Sequence, residues 1–416
     1  MQIQLSISTA ASITFLLVQM LISISLEGNR HHQAVTSDWL AGTWKASIRC
    51  PGGEIQFDLE FQQSEQNWNA TIINGPERIS VPSTQVSANS VTLSIDHYDS
   101  VIRLMKKDHK MTGIWKKRKA KTKWTQMVVS ANRLTQSGTN DLTATRFTGK
   151  WKVDFSKSDS PAVGIFQIRD DRMLGTFLTT TGDYRFLDGT VQDKKMSLSC
   201  FDGAHAFLFD ATLNSDGKLI GNFWSSDSWH ESWTAVRDRA ATLPDDFKQT
   251  SWDKEFSLGD LAFPNLDNQL ISLEDQELNG KARIIYLFGS WCPNCHDAAK
   301  YMSELDQTYG EQGLKILGLA FEHTGDFSRD AEQVRKYLHR NHAKYPVLLA
   351  GLSDKSKASA KIPLIDRVRS YPTTLFLNSD NQIVAVHTGF TGPATGESYQ
   401  NLKRKFEEII EGLLHD

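Results

Sequence analysis

Residues 282–295 read Ala-Arg-Ile-Ile-Tyr-Leu-Phe-Gly-Ser-Trp-Cys-Pro-Asn-Cys, a strand signal running straight into a reactive motif. The first seven residues are nearly all apolar, as a strand covered on both faces of a sheet must be. Gly289 and Ser290 break that run, and Pro293 suits the first turn of a helix, where its missing N–H costs nothing. Cys292 therefore stands at a helix N-terminus. The exposed amides and the positive end of the helix dipole there favour its thiolate, below the free-cysteine value of about 8.5. Cys295 follows one turn on, placed to attack a mixed disulfide formed at Cys292. A zinc half-site would need two further ligands, and no second Cys-x-x-Cys or paired His stands nearby, so no metal and no organic cofactor is expected.

Downstream, a helical stretch runs to Tyr309 and stops at Gly310. Residues 314–320 form a second strand, and 331–340 a helix. Residues 373–377 and 382–387 make a hairpin across Asn378-Ser379-Asp380-Asn381, and a last helix aligns Tyr399, Leu402, Phe406, Ile409, Ile410 and Leu413 on one face. Strands alternating with helices predict an α/β domain around a mixed sheet, over residues 252–416.

Upstream the chain repeats itself. Gly42-Thr43-Trp44 returns as Gly149-Lys150-Trp151, and Gly113-Ile114-Trp115 as Gly221-Asn222-Phe223-Trp224. Lys123-Trp124-Thr125 matches Ser232-Trp233-Thr234, and Val91-Thr92-Leu93-Ser94 matches Met196-Ser197-Leu198-Ser199. Short alternating runs separated by turn signals make each copy, 41–135 and 146–240, an antiparallel β-barrel or sandwich. The repeated Gly-x-Trp resembles the first strand of lipocalin-like barrels. Copy one carries a basic run, Lys106, Lys107, Lys110, Lys116, Lys117, Arg118, Lys119, Lys121 and Lys123, read as a solvated hairpin. Cys50 and Cys200 occur once per copy, and a structural disulfide between them competes with two buried thiols.

Composition bounds the rest. The chain has 416 residues, 46 basic against 49 acidic side chains, and a net charge of -3, which gives no global pull toward nucleic acid. Four cysteines are too few to staple such a length, so disulfide scaffolds are excluded. Residues 1–26 contain no charged side chain and are most apolar from Ile13 to Leu26. They read as a signal peptide or signal anchor, which implies an exported, periplasmic or cell-envelope protein with a membrane tether as one outcome.

From Trp252 onward the chain resembles the TlpA/ResA-like thiol–disulfide oxidoreductases of the thioredoxin superfamily. The match is carried by 288–295, by Tyr345-Pro346-Val347-Leu348-Leu349-Ala350-Gly351, by Ser370-Tyr371-Pro372-Thr373-Thr374 and by 387–396. The resemblance implies a redox-active disulfide between Cys292, the attacking thiol, and Cys295, the resolving one. Trp291 and Pro293 would support them, and Pro372 would be a cis-proline facing the pair, with Tyr371 or Thr373 backbone groups holding the substrate chain. It also implies protein disulfides as substrates and a separate, unidentified thiol reductant.

Two positions depart from the family. Thioredoxins place a buried carboxylate where this chain has Tyr286, and many ResA-like proteins place a Glu where it has Ala298. Glu322, with His323 second, is the expected substitute base. His296 adjoins the motif. A peroxiredoxin-like peroxidase wants Thr or Ser three residues before its cysteine, where Gly289 precedes Cys292. A ligand-binding β-repeat protein on an inert scaffold is the third reading, and the intact Cys-Pro-Asn-Cys with Pro372 argues against inertness.

Overall fold

The computed structural model describes residues 39–65, 67–133, 141–253 and 257–415. Residues 1–26, expected as a signal or anchor, lie outside them. No helix among the described residues is long and apolar enough to cross a membrane. Leu40–Asp416 forms one compact unit.

The first copy is a nine-stranded up-and-down sheet whose first strand, Gly42–Cys50, pairs with the second, Gly53–Ser64, and the last, Trp124–Arg133. Among the described residues this sheet ends at Glu77–Ser80 on one side and Ser83–Ser87 on the other, leaving a half-barrel open at that seam. The second copy follows the same order and closes. Gly149–Phe155 pairs with Ala162–Arg169 and with Trp229–Arg237, completing an eight-stranded barrel. Its interior is filled with rings: Phe177 stacks on Phe209 at 4.5 Å, Phe209 on Phe223 at 4.3 Å, and Trp233 meets Phe177 edge-on.

The duplication repeats down to single bonds. Trp44 donates from Nε1 to the Leu40 carbonyl and Trp151 to that of Phe147, both at 2.8 Å. Arg133 and Arg237, from the last strand of each copy, cover those two indoles at 4.7 and 4.4 Å. One matched pair fails, however. Gly113 faces Val129 and Gly221 faces Trp233, so Trp233 corresponds to Val129 rather than to Trp124. Trp124 instead opens its strand in solvent beneath Lys116 and Arg118.

The half-barrel is completed from outside. Phe201 of the closed barrel reaches its core, 4.5 Å from Phe57 and 5.2 Å from Trp115. Asn74 fixes that residue by bonding both its N–H and its carbonyl, each at 3.0 Å. Cys50 and Cys200 are both free and buried, so the disulfide offered as an alternative is not formed. The two belong to different sheets: Cys50 ends a half-barrel strand, and Cys200 sits among the apolar side chains of the closed barrel.

The C-terminal part is a five-stranded sheet with helices. We label its strands β1 (Ala282–Phe288), β2 (Leu314–Glu322), β3 (Val347–Leu352), β4 (Thr373–Leu377) and β5 (Ile383–Thr388). The order is β3-β2-β1-β4-β5, parallel over the first three and antiparallel at β4 and β5. Helices are α1 (Pro293–Tyr309), α2 (Phe327–Arg340), α3 (Lys355–Lys361) and α4 (Glu397–His415). Every residue of β1 is buried, as its apolar run requires. Strand β2 extends two residues beyond the expected Ala320, because pairing with β3 resumes after a bulge and carries on to Glu322. Helix α2 starts four residues earlier than expected, where Asp326 accepts from the Arg329 N–H as N-cap.

Arg185 ties the three parts together. It follows the two-residue strand Gly182–Asp183 that hangs from the closed barrel. Its guanidinium pairs with Glu77 of the half-barrel at 2.7 Å, with Asp202 of its own barrel at 3.5 Å, and with Asp297 on α1. All four side chains are buried or nearly so. The backbone beside it is equally tight: a Cβ on Gly182 (φ 142°) would come 2.5 Å from the Asn294 amide, and one on Gly389 (φ 82°) 2.8 Å from Thr181. Removing one partner of a buried ionic group leaves the others uncompensated, at a cost of about 3–5 kcal/mol. Arg185→Met is therefore expected to lower unfolding stability by about that much in a denaturant titration, with Arg185→Lys recovering only part of it.

Candidate active site

Cys292 caps α1 without a side-chain hydrogen bond and with Pro293 in the first turn. It is 8% exposed and Cys295 is fully buried. The Cys292 thiol lies 3.7 Å from the Tyr371 carbonyl, and the Tyr371–Pro372 peptide is cis. Thr373 is buried and its hydroxyl donates to the Ser370 carbonyl at 2.9 Å. Trp291 fixes its ring by donating to the Phe321 carbonyl at 2.9 Å, and lies between His323, stacked at 4.6 Å, and Tyr371, edge-on at 5.7 Å. The loop before α1, the end of β2 and the turn before β4 thus meet at one edge of the sheet.

The two thiols are driven apart. Burial opposes a charge on Cys292, yet the hydrogen bonds from Cys295, with Arg185 and Lys117 beyond, bring it below the ordinary thiol range. Burial pushes Cys295 well above that range, and the bond it gives to Cys292 adds to this. One sulfur is set up to carry charge while the other keeps its proton.

Glu322 and His323 have separate places. Glu322 is 1% exposed, and its carboxylate accepts from the Ser290 N–H at 2.8 Å and the Ser290 hydroxyl at 2.7 Å. Burial raises it to about 8 despite both bonds, and its charge acts on Cys295. His323 bonds Ser353 at 2.8 Å and is pulled down to about 4 by burial and by Lys117 and Arg118, so it is neutral near pH 7. Behind Cys295, Tyr286 shares a 2.7 Å hydroxyl–hydroxyl bond with Tyr345, and Tyr337 donates to the Cys295 carbonyl at 2.7 Å. His296 turns away from the thiols, toward the Ser290 carbonyl and Asn341.

The β region reaches this edge as well. Asn294 donates to the Asp183 carbonyl at 3.3 Å, while the Asp183 carboxylate accepts from the Gly392 N–H at 2.5 Å. Arg185 and Lys117, both acting on Cys292, escaped the sequence reading. Lys117 was legible in principle, since it shares the strand parity of the inward Met111 and Trp115. Arg185 was not, because nothing local marks an arginine whose partners lie about a hundred residues away in each direction.

Residues 254–386 match the AhpC/TSA family model. The chain is 29% identical over 120 residues to the thiol-disulfide oxidoreductase ResA of Halalkalibacterium halodurans, covering 28% of this chain and 60% of that protein. ResA of Bacillus anthracis is 29% identical over 120 residues, covering 29% and 61%. The match thus spans about three-fifths of the length of these relatives. Among solved structures, a putative thiol:disulfide interchange protein DsbE from Chlorobium tepidum is 20% identical, covering 39% of this chain and 99% of that one, with a TM-score of 0.30. The C-terminal domain of a putative thiol-disulfide oxidoreductase from Bacteroides thetaiotaomicron is 18% identical, covering 36% and 92%, with a TM-score of 0.28. The C-terminal region, whose five-stranded sheet carries the two cysteines at the end of its first strand, is thus the part of the chain similar to the AhpC/TSA family.

Proposed function

We propose that the protein is an exported thiol–disulfide oxidoreductase that reduces disulfides of other proteins through Cys292 and Cys295. The observation that carries this reading is the split pair: an activated sulfur at a helix N-terminus beside the Tyr371–Pro372 turn, and a proton-holding sulfur one turn behind. The Cys292 thiolate attacks one sulfur of a substrate disulfide, and the other leaves as thiolate with the bonding electron pair. Cys295 then loses its proton and attacks the Cys292 sulfur. The second substrate thiolate departs, leaving a Cys292–Cys295 disulfide that an external dithiol must reduce. Glu322 is the acceptor for the Cys295 proton: it is buried, within electrostatic reach of that sulfur, and at about 8 close to a thiol in basicity. Export rests on the apolar residues 1–26. A ligand held inside the closed barrel is disfavoured by its ring-filled interior.

Reduction of insulin disulfides by the full chain is expected to fall to background in Cys292→Ser; undiminished reduction would sink the proposal. A reduction potential near about -270 mV is expected for a reductant, whereas about -120 mV would make the protein an oxidant.

Glu322 separates the steps. Turnover is expected to rise with pH through about 8, where Glu322 ionises. Glu322→Gln should flatten that limb and slow turnover by about 100-fold, leaving alkylation of Cys292 in place. The sign for stability is opposite. The folded state holds the Glu322 proton more tightly than the unfolded chain, so this carboxyl increasingly penalises the fold as pH rises toward about 8. Glu322→Gln should melt higher than the wild type above that pH, with the gap closing in acid.

A further inference from the structure

The outer face of the half-barrel mixes cations with apolar side chains, and its strands bring no acid to it. Six strands that are neighbours in the sheet contain no Asp or Glu: Gly42–Cys50, Trp124–Arg133, Lys110–Arg118, Ser100–Lys107, Ser90–Ile95 and Ser83–Ser87. Their inward positions supply the core, with Leu104, Trp115 and Val129 buried. Register sets the outward ones side by side. Arg103 faces Ile114, which faces Val128; Val101 faces Lys116, which faces Gln126; Met105 faces Thr112. Side chains opposed in this way stand about 5 Å apart. Met105 is 57% exposed, Val128 58% and Trp124 41%. Lys107 and Lys110 face each other beyond Met105, and Lys116 and Arg118 lie over the Trp124 ring at 4.6 and 4.3 Å. The nearest acids are in turns: Asp108 between Lys107 and Lys110, and Asp99, which is paired with Arg118 and Arg329. Among the described residues Arg103, Lys107, Lys110 and Lys116 form no ion pair.

The fold does not require such a face. In the closed barrel the row matching Arg103–Ile114–Val128 is Asp210–Asn222–Ser232, since Gly221 sits where Gly113 does. That row is polar and bonded within itself: Asp210 accepts from the Asn222 N–H at 2.7 Å and from its side-chain amide at 3.1 Å. The half-barrel has an apolar row with cations around it instead. The outside of a curled sheet is convex, so it offers no groove to a peptide. Apolar side chains raised among cations on a convex face match a broad surface that is anionic outside and apolar beneath. An indole such as Trp124 favours that boundary.

We propose that the outer face of the half-barrel is a membrane-binding surface for anionic lipid. It sets Trp124, Val128 and Met105 against the lipid boundary and Arg103, Lys110 and Lys116 on the headgroups. The order of the chain fits this. Residues 27–41 join the apolar residues 1–26 to Gly42–Cys50, the strand that borders the face. That one point rests on the reading of residues 1–26 as a signal or anchor, whereas the face itself does not. Docking in this way leaves the thiol chemistry as it is and confines it to substrates at a membrane surface.

The test is lysine acetylation of the full chain, read by peptide mass spectrometry. Vesicles of mixed phosphatidylglycerol and phosphatidylcholine are compared with vesicles of phosphatidylcholine alone. On the anionic vesicles Lys107 and Lys110 are expected to label several-fold more slowly, with Lys152 and Lys195 of the closed barrel unchanged. Neutral vesicles, or salt at about 0.5 M, should remove that protection. Arg103→Glu combined with Lys116→Glu should raise the lipid concentration for half-protection by about tenfold or more, and Trp124→Ser should raise it with the charges intact. Lys107 and Lys110 left fully labelled on anionic vesicles overturn the proposal, even in a chain that sediments with them through residues 1–26. Equal protection on neutral vesicles overturns it too, as does protection by polyglutamate alone, which would make the face a site for acidic protein. Should the double variant fail to fold, the salt and lipid dependence of the wild type decides. Insulin reduction is expected to be unchanged in a folded double variant, so the lipid face and the thiol reading fail separately.

Discussion

One guanidinium holds three carboxylates drawn from three parts of the chain. Arg185 sits where the half-barrel, the closed barrel and the C-terminal α/β domain meet, and each contributes one acid to it. Burial sets the terms of this cluster. It lifts Glu77 to about 7 even with Arg185 in contact. Asp202, by contrast, is held far below the usual range, because His205 and Arg185 outweigh its burial. Such a cluster adds little net stability over an apolar replacement. It does fix register: the strand that presents Arg185 also places Asp183 on Gly392 and on the Asn294 amide. Arg329 on Asp99, Gln333 on the Asp96 carbonyl and Arg340 on the Ser80 carbonyl add further ties between the half-barrel and α2.

The enclosure changes what a thiol motif needs. A cysteine at an exposed helix end gains its thiolate from the backbone and from water. Here Cys292 is 8% exposed, so solvent contributes little, and compensation comes from the Cys295 hydrogen bond and from cations on other modules. The resolving side is equally dry. Beside the second sulfur the chain has a cluster of tyrosines and, from the neighbouring strand, Glu322 tied to Ser290.

How much was legible depended on the range of each interaction. Strand β1, helix α1 and the cysteine pair lie within one continuous stretch, and local pattern was enough to place them. Glu322 was also singled out, since strand ends at a known sheet edge are few, and it lies buried on Ser290 next to the cysteine loop. Its partner Ser290 was not, because a serine in a turn carries no signal of its own. The pairing of Trp124 with Trp233 failed for a related reason: a shared Trp-Thr dipeptide outweighed the register, which only strand partners reveal. Closure of one barrel and not the other was hidden as well, since both copies share one strand order and differ in a single missing pairing.

The insertion of Phe201 into the half-barrel has a consequence for the history of the two copies. A duplication begins with two self-sufficient units free to vary separately. Once Phe57, Trp115 and Asn74 of one copy are seated on a residue of the other, that freedom ends. A change of volume at Phe201 is felt in the neighbour's interior rather than in its own, so these positions are bound to vary together. The first copy has exchanged its autonomy for a place in a larger unit, and neither half of the repeat can be inherited alone.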